Sequence, residues 1–331
     1  MLTQLRESLG EQAVVTDPAV LADRSHDRSG SPAVGAPLAV VRPRSTDQVS
    51  LVMRLAHAHD VPVVPQGALT GLAGGANAVP GAILLDLTAM DQILRIDPID
   101  LAAVVQPGVI TADLAAAAAE QDLFYAPDPA SAAESTVGGN VATNAGGMRC
   151  VKYGVTRDAV RSLEVVLANG DVIRTSPPTV KAVGGLDLTS LLVGSEGTLG
   201  VITEITVGLL PAPGPVRGIT AGFSSSKAAL DAANQIMAGP HRPSTLEFMD
   251  EVVIGATLAY DPDAGLPTDA KAWLLVLTDA RTAAADDIAS YVDVVRRHGA
   301  VRVDVADDPE RVAELLRSEE HTSELQSRLH L

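Results

Sequence analysis

The chain's 331 residues predict an α+β fold in two parts. Three observations carry that prediction: strands and helices alternate from Leu38 onward, Asn169-Gly170 joins two apolar runs, and Pro211, Pro213 and Pro215 interrupt regular structure before a second strand-helix-strand stretch. The length suits two domains at roughly 100–200 residues each.

Residues 1–37 read as an N-terminal helical segment. Leu38 to Val41 is a short apolar strand ended by Pro43, and Thr46 and Asp47 offer N-caps for a helix through His57. Val61 to Val64, Ala82 to Leu87 and Ala102 to Gln106 read as strands, and the alanine-rich run Thr111 to Gln121 as a helix. From Pro127 small residues, Asn and Gly dominate for about twenty positions, a texture that predicts a long loop. Asn169-Gly170, between LEVVLA and DVIRT, predicts an antiparallel hairpin with positive φ at both central residues. A strand follows from Gly200 to Leu209. Beyond the prolines, strands to Phe223, at Leu246 to Met249 and at Ala272 to Leu277, with helices Ser225 to Met237 and Thr282 to His298, predict helices layered on an antiparallel sheet.

Composition narrows the function. With 41 Asp and Glu against 24 Lys and Arg, the net charge of -17 leaves no basic footprint for nucleic acid. A single cysteine, Cys150, excludes an internal disulfide framework and any Cys-based metal site. The histidines His241 and His298 lack metal-ligand spacing and read as surface residues, so no metal is expected. No apolar run approaches the roughly 18 residues of a membrane span, and the N-terminus lacks a signal pattern, so a cytoplasmic setting is expected.

Chemistry concentrates in three glycine-rich runs. Pro65 to Ala76 reads PQGALTGLAGGA directly after a strand; it has neither the G-K-[ST] ending of a Walker loop nor the G-x-G-x-x-G of a dinucleotide fold. Glycines there let backbone N–H groups approach an anion, and a plain structural turn is the alternative. Pro127 to Gly147 reads PDPASAAESTVGGNVATNAGG, an array of short side chains and amides able to face a polar heteroaromatic edge, or an ordinary surface loop. Gly194 to Ile202 reads GSEGTLGVI, where Glu196 serves a ligand or caps a turn.

Taken in order, the three runs resemble the flavin domain of the vanillyl-alcohol-oxidase (PCMH) type, and within it the glycolate oxidase, D-lactate dehydrogenase and D-2-hydroxyglutarate dehydrogenase flavoproteins. The resemblance spans Leu38 to Pro211. It implies a two-subdomain PCMH-type FAD-binding domain at 38–212, followed by a partial α+β substrate (cap) domain at 216–316, whose STLEFMD run (Ser244 to Asp250) matches the start of that domain. The first run then corresponds to the pyrophosphate loop, with Pro65, Gln66, Gly67, Ala68, Leu69, Thr70, Gly71, Gly74 and Gly75 as contacts. The second lies along ribityl and isoalloxazine, through Pro127, Asp128, Pro129, Ser135, Gly138, Gly139, Asn140, Ala142, Thr143, Asn144 and Gly147. The third contributes Glu196, Gly197, Gly200 and Ile202. Ala68 and Leu69 stand where the family often has a second glycine, and the loop holds no His or Cys, so FAD is expected to be bound non-covalently.

The activity the resemblance implies is oxidation of a D-2-hydroxy acid, hydride passing from C2 to flavin N5 and electrons leaving to a quinone, an electron-transfer flavoprotein or an iron-sulfur subunit. A non-catalytic FAD-binding subunit, a same-fold oxidase or reductase with another substrate, and a fragment without a native role are the alternatives. The family's HxGDGNxH-like and E-H-G motifs do not occur, so catalytic residues stay unassigned. The terminal RSEEHTSELQSRLHL (317–331) reads as a translated sequencing adapter, which predicts a C-terminally truncated chain. Cys150 reads as a small buried hydrophobe. Lys152 and Tyr153 are weaker candidates for polar contacts to flavin or substrate.

Overall fold

The computed structural model describes residues 1–315 apart from 182, 263, 309 and 314, so the adapter-like segment 317–331 lies outside the described residues. The chain divides into two compact units, Met1–Gly146 with Val155–Pro211, and Gly147–Gly154 with the chain from Ala212. Pro211, read as interrupting regular structure, instead ends the short strand Leu210–Pro211, and the assignment of 147–154 to the second unit has no local signal in the sequence.

The first unit holds two sheets. In the first, strands β1 (Val14–Val15), β2 (Ala39–Val41), β3 (Val63–Gln66) and β4 (Ile83–Asp86) run in the order β1-β2-β4-β3. β2, β4 and β3 are parallel and β1 is antiparallel to β2. β4 reads ILLD and is buried throughout because both of its faces are covered. Ile83 and Leu85 face Val49, Val52 and Ala56 of the helix Thr46–Ala58, while Leu84 faces Val40, Val64 and Ala78. That helix is capped by Ser45, whose hydroxyl accepts from the Gln48 amide, one position ahead of the expected caps.

The second sheet comprises β5 (Ile93–Asp97), β6 (Ala102–Val105), β8 (Val160–Val166), β9 (Val172–Arg174) and β10 (Val201–Gly208), antiparallel in the order β5-β6-β10-β8-β9. Short β7 (Leu123–Phe124) pairs with β11 (Leu210–Pro211). Helices Thr111–Ala119 and Val137–Thr143 bury Leu114, Ala118, Val137 and Val141 against Val105, Val165, Ile205 and Val207 of this sheet.

In the second unit β12 (Arg217–Phe223), β13 (Thr245–Asp250), β14 (Ala272–Thr278) and β15 (Ala300–Ala306) form an antiparallel sheet in the order β13-β14-β12-β15. Helices Ser226–Ala238 and Ala284–Arg297 cover the face carrying Ile219, Phe223, Leu274 and Val276. Trp273, Leu275 and Leu277 on the other face pack with Met249 of β13 and with Ile254 of the Asp250-capped helix Glu251–Tyr260, a helix the sequence reading lacked, as it lacked β5 and β15.

Candidate functional site

The three glycine-rich runs converge in the first unit on one cleft of about 440 Å³. β3 ends at Gln66, and the first run leaves from its carboxyl end, where parallel strands open their ligand crevices. Every residue from Pro65 to Gly71 lines the cleft, as does Gly75, while Gly74 does not. From Ala68 to Ala76 no backbone amide donates a hydrogen bond to another described residue. A concave run of unpaired N–H groups suits an anion. Leu69 sits in the left-handed region at φ 61°, so the loop turns without the glycine that the resemblance leads one to expect.

The second run is not the irregular loop that its composition predicts. It contains the helix Val137–Thr143, started by Thr136, whose hydroxyl accepts from the Gly139 amide at 3.1 Å. A Thr-Val-Gly-Gly start hides this helix because glycines depress helix propensity, yet close packing requires them. A Cβ on Gly138 would come within 2.8 Å of the Pro107 carbonyl oxygen. Gly138, Gly139, Asn140, Ala142 and Thr143 line the cleft. The Asn140 side-chain N–H donates to Thr111 Oγ1 at 2.6 Å, and Ser135 is buried against the same hydroxyl. Pro127, Asp128, Pro129 and Ser135 lie outside the lining. Asn144 ends the helix at φ 52° and its Oδ1 accepts from the Arg157 amide, a structural role, while Gly147 falls in the second unit.

The third run is tied to the helix of the second by two backbone bonds, Gly194 N–H to the Val141 carbonyl and Glu196 N–H to the Ala142 carbonyl, both 2.9 Å. Glu196, Gly197, Gly200 and Ile202 all line the cleft. A Cβ on Gly67 would collide with the Thr136 hydroxyl and one on Gly75 with the Glu196 carboxylate. The glycines therefore bring the three runs into contact as well as leaving amides bare.

Asp27, Leu87, Pro107, Ser131, Thr136 and Ala145 also line the cleft, and the sequence reading missed them. Thr136 would have carried a signal, a hydroxyl residue just ahead of a helix, had glycines not hidden that helix; Asp27 carried none. No Lys or Arg is among the lining residues, whereas the carboxylates of Asp27 and Glu196 are. An anionic ligand must therefore rely on backbone amides and on neutral donors such as the Thr70 and Ser131 hydroxyls. Leu69, Leu72, Leu87 and Ile202 supply apolar walls. This donor set fits a long ligand with a flat apolar end and a pyrophosphate; no basic side chain lines it, and among the described residues no group of three or more His, Cys, Asp or Glu could hold a metal ion.

Within the second unit, Lys152 and Tyr153 are both engaged by buried Asp279, through an ion pair and a 2.5 Å hydrogen bond from the phenol. Burial, followed by the Asp279 carboxylate, pushes the Tyr153 phenol well above its ordinary value. The Gly147 N–H donates to Cys150 Sγ at 3.0 Å, and Cys150 is half-buried rather than buried. His241, expected at the surface, is also half-buried, with Nδ1 2.6 Å from buried Asp287.

Comparison with known proteins gives this geometry a family. An FAD binding domain model matches residues 37–176, and a model of the C-terminal domain of FAD-linked oxidases matches 213–330. An FAD-linked oxidoreductase of Mycobacterium tuberculosis is 35% identical over 308 residues, covering 91% of this chain and 67% of the relative. The chain belongs to the FAD-linked oxidoreductases. The glycolate oxidase subunit GlcD of Bacillus subtilis is 44% identical over 275 residues, 83% of this chain and 58% of GlcD. The D-lactate dehydrogenase of Anaerostipes hadrus is 37% identical over 316 residues, 93% of this chain and 66% of the relative. The chain thus spans about three fifths of the length of these two relatives. Alkyldihydroxyacetonephosphate synthase superposes with a TM-score of 0.79 at 18% identity, over 98% of this chain and 64% of that one, so the two share a fold. FAD is the cofactor that both matched domains indicate.

Proposed function

We propose that FAD lies non-covalently in the cleft of the first unit, its pyrophosphate on the bare amides of residues 68–76. The observation that carries this reading is the absence of any amide donor bond along that run, in a lining that has no basic side chain. Glycines 67, 75 and 138 let the three runs close on the ligand. Residues 38–212 are the FAD-binding domain in this reading and 216–316 a substrate domain.

The substrate is a D-2-hydroxy acid of the glycolate, D-lactate or D-2-hydroxyglutarate class, the chemistry named in the relatives. What FAD supplies when bound is an acceptor, at N5, for the hydride leaving substrate C2. The cleft residues hold and orient the cofactor and shield it from water; the proton of the substrate hydroxyl and the substrate carboxylate fall to groups outside this lining, since no His, Lys or Arg belongs to it. Electrons leave to a quinone, an electron-transfer flavoprotein or an iron-sulfur partner. A cytoplasmic setting accords with the finding that no helix among the described residues is long and apolar enough to cross a membrane.

A second reading, a non-catalytic FAD-binding subunit, draws on GlcD being a subunit. One experiment separates the two. The full chain is reconstituted with FAD, desalted, and mixed anaerobically with glycolate, D-lactate or D-2-hydroxyglutarate. Retained flavin that bleaches with one of them supports the dehydrogenase; retained flavin that stays oxidised with all supports the subunit; and loss of flavin on desalting would sink FAD binding itself.

A further inference from the structure

The matched FAD-binding domain begins at residue 37, yet a strap N-terminal to it holds the phosphate loop from behind. The Arg28 N–H donates to the Gly71 carbonyl at 2.9 Å and the Ala78 N–H to the Ser25 carbonyl at 3.0 Å. Buried Asn77 accepts from the Asp27 N–H at 2.7 Å and donates to the Ser31 carbonyl at 3.0 Å. Buried Gln66 donates through one side-chain nitrogen to the carbonyls of Arg24 and Ala76. These bonds tie both ends of the loop to residues 24–31.

Arg24 is the centre of this strap. One of its guanidinium nitrogens, Nη2, donates to the Gly67 carbonyl at 3.1 Å and pairs with Asp86 Oδ1 at 2.9 Å. Asp86 is buried at the end of β4, and its other oxygen takes Arg42 Nε at 3.1 Å. A trans peptide sets the Ala68 N–H antiparallel to the Gly67 carbonyl. The guanidinium that fixes that carbonyl therefore also fixes the direction of the first bare amide of the loop. Bonds from a guanidinium are charge-assisted and geometrically selective. A loop that binds an anion without a basic side chain depends on its amides being aimed before the ligand arrives.

We propose that Arg24, anchored by Asp86, is a positioning residue that pre-aims the phosphate loop, so that the FAD site extends into the N-terminal strap. This rests on the placement of FAD in the cleft. Losing one charge-assisted bond weakens pyrophosphate binding about 10- to 100-fold. Riboflavin, which has no phosphate, is spared. Arg42 supplies the internal control, because it neutralises the same carboxylate but bonds no loop residue.

The test measures FAD, ADP and riboflavin affinities, with apo-protein melting, for the full wild-type chain and for R24Q and R42Q. The expected result is a loss of FAD and ADP affinity in R24Q alone, with riboflavin affinity unchanged in both. Equal FAD affinity in wild type and R24Q, or equal losses in R24Q and R42Q, overturns the proposal. If R24Q fails to fold, R24K, which keeps a charge beside Asp86, decides: a several-fold loss confined to FAD and ADP supports it, and wild-type affinity overturns it. If wild type itself binds neither FAD nor ADP, it is the placement of FAD that has failed.

Discussion

The Glu196 carboxylate occupies the space that a Cβ on Gly75 would take, and Glu196 itself stands in the left-handed region at φ 54°. A glycine of the first run and an acid of the third, remote in sequence, thus define one wall of the cleft. The obstacle at Gly75 is the far end of a flexible side chain, whereas at Gly138 it is the rigid ring and the backbone of Pro107.

Gly75→Ala and Gly138→Ala should therefore part company. In Gly75→Ala the carboxylate swings aside, and stability changes by less than about 1 kcal/mol. Gly138→Ala must displace Pro107 and lengthen the 2.8 Å bond from the Gly138 amide to the Pro107 carbonyl, costing about 2–3 kcal/mol. Denaturant unfolding of the two apo variants checks this; equal costs would show that the Pro107 contact relaxes freely.

Gly67→Ala acts through a cap. The new methyl would push the Thr136 hydroxyl off the Gly139 amide, so the variant should lose at least what Thr136→Ala loses, about 1 kcal/mol. It should also lose FAD affinity, because the Gly67–Ala68 peptide moves with it. Thr136→Ala alone keeps the loop in place. Melting and flavin titration of both variants distinguish cap from loop: a Gly67→Ala protein as stable as wild type contradicts the packing.

How much of this could be read in advance depended on the range of the cause. Strands and helices governed by their own apolar pattern, such as β4 and the helix Thr46–Ala58, were legible, and so were the three runs that meet in the cleft. The hairpin at Asn169-Gly170 was legible in kind but not in detail. Gly170 has φ 88°, but Asn169 is not in the left-handed region, and the Gly170 N–H bonds back to the Leu167 carbonyl at 2.9 Å. The turn is thus the longer form that closes on one left-handed glycine, not the two-residue form with two. The helix Val137–Thr143 was hidden by its glycines, and Asp27 is held at the cleft by bonds across the chain, among them its N–H to Asn77, fifty residues on. Such long-range ties leave no periodicity to read.

The glycine of that hairpin yields a further prediction. A Cβ on Gly170 would meet Arg54 and approach the Ser50 carbonyl oxygen to 2.9 Å, at a positive φ that side chains avoid. The buried Ser50 hydroxyl also donates to the Gly170 carbonyl at 2.6 Å. Gly170→Ala should cost about 2–4 kcal/mol, combining left-handed strain with crowding. Asn169→Ala, outside both constraints, should cost under about 1 kcal/mol. Equal effects at the two positions would contradict the turn geometry.

The Asp279 cluster of the second unit predicts a stability difference that depends on pH. Tyr153→Phe removes the phenol's bond to a buried carboxylate but leaves Lys152 in place. Because Tyr153 is only half-buried, the loss should be about 1–2 kcal/mol after allowance for screening. The phenol is held above its ordinary value chiefly by burial and then by Asp279, so the folded state binds that proton more tightly than the unfolded chain does. Its contribution is therefore fully present below the unfolded value of about 10 and falls away as pH rises from there toward the folded value. Urea unfolding of wild type and Tyr153→Phe from neutral to strongly alkaline pH should show a constant gap that narrows only beyond about pH 10. A gap that narrows at neutral pH would mean that another group titrates in the cluster, and no gap at all would mean that the phenol and Asp279 do not pair in solution.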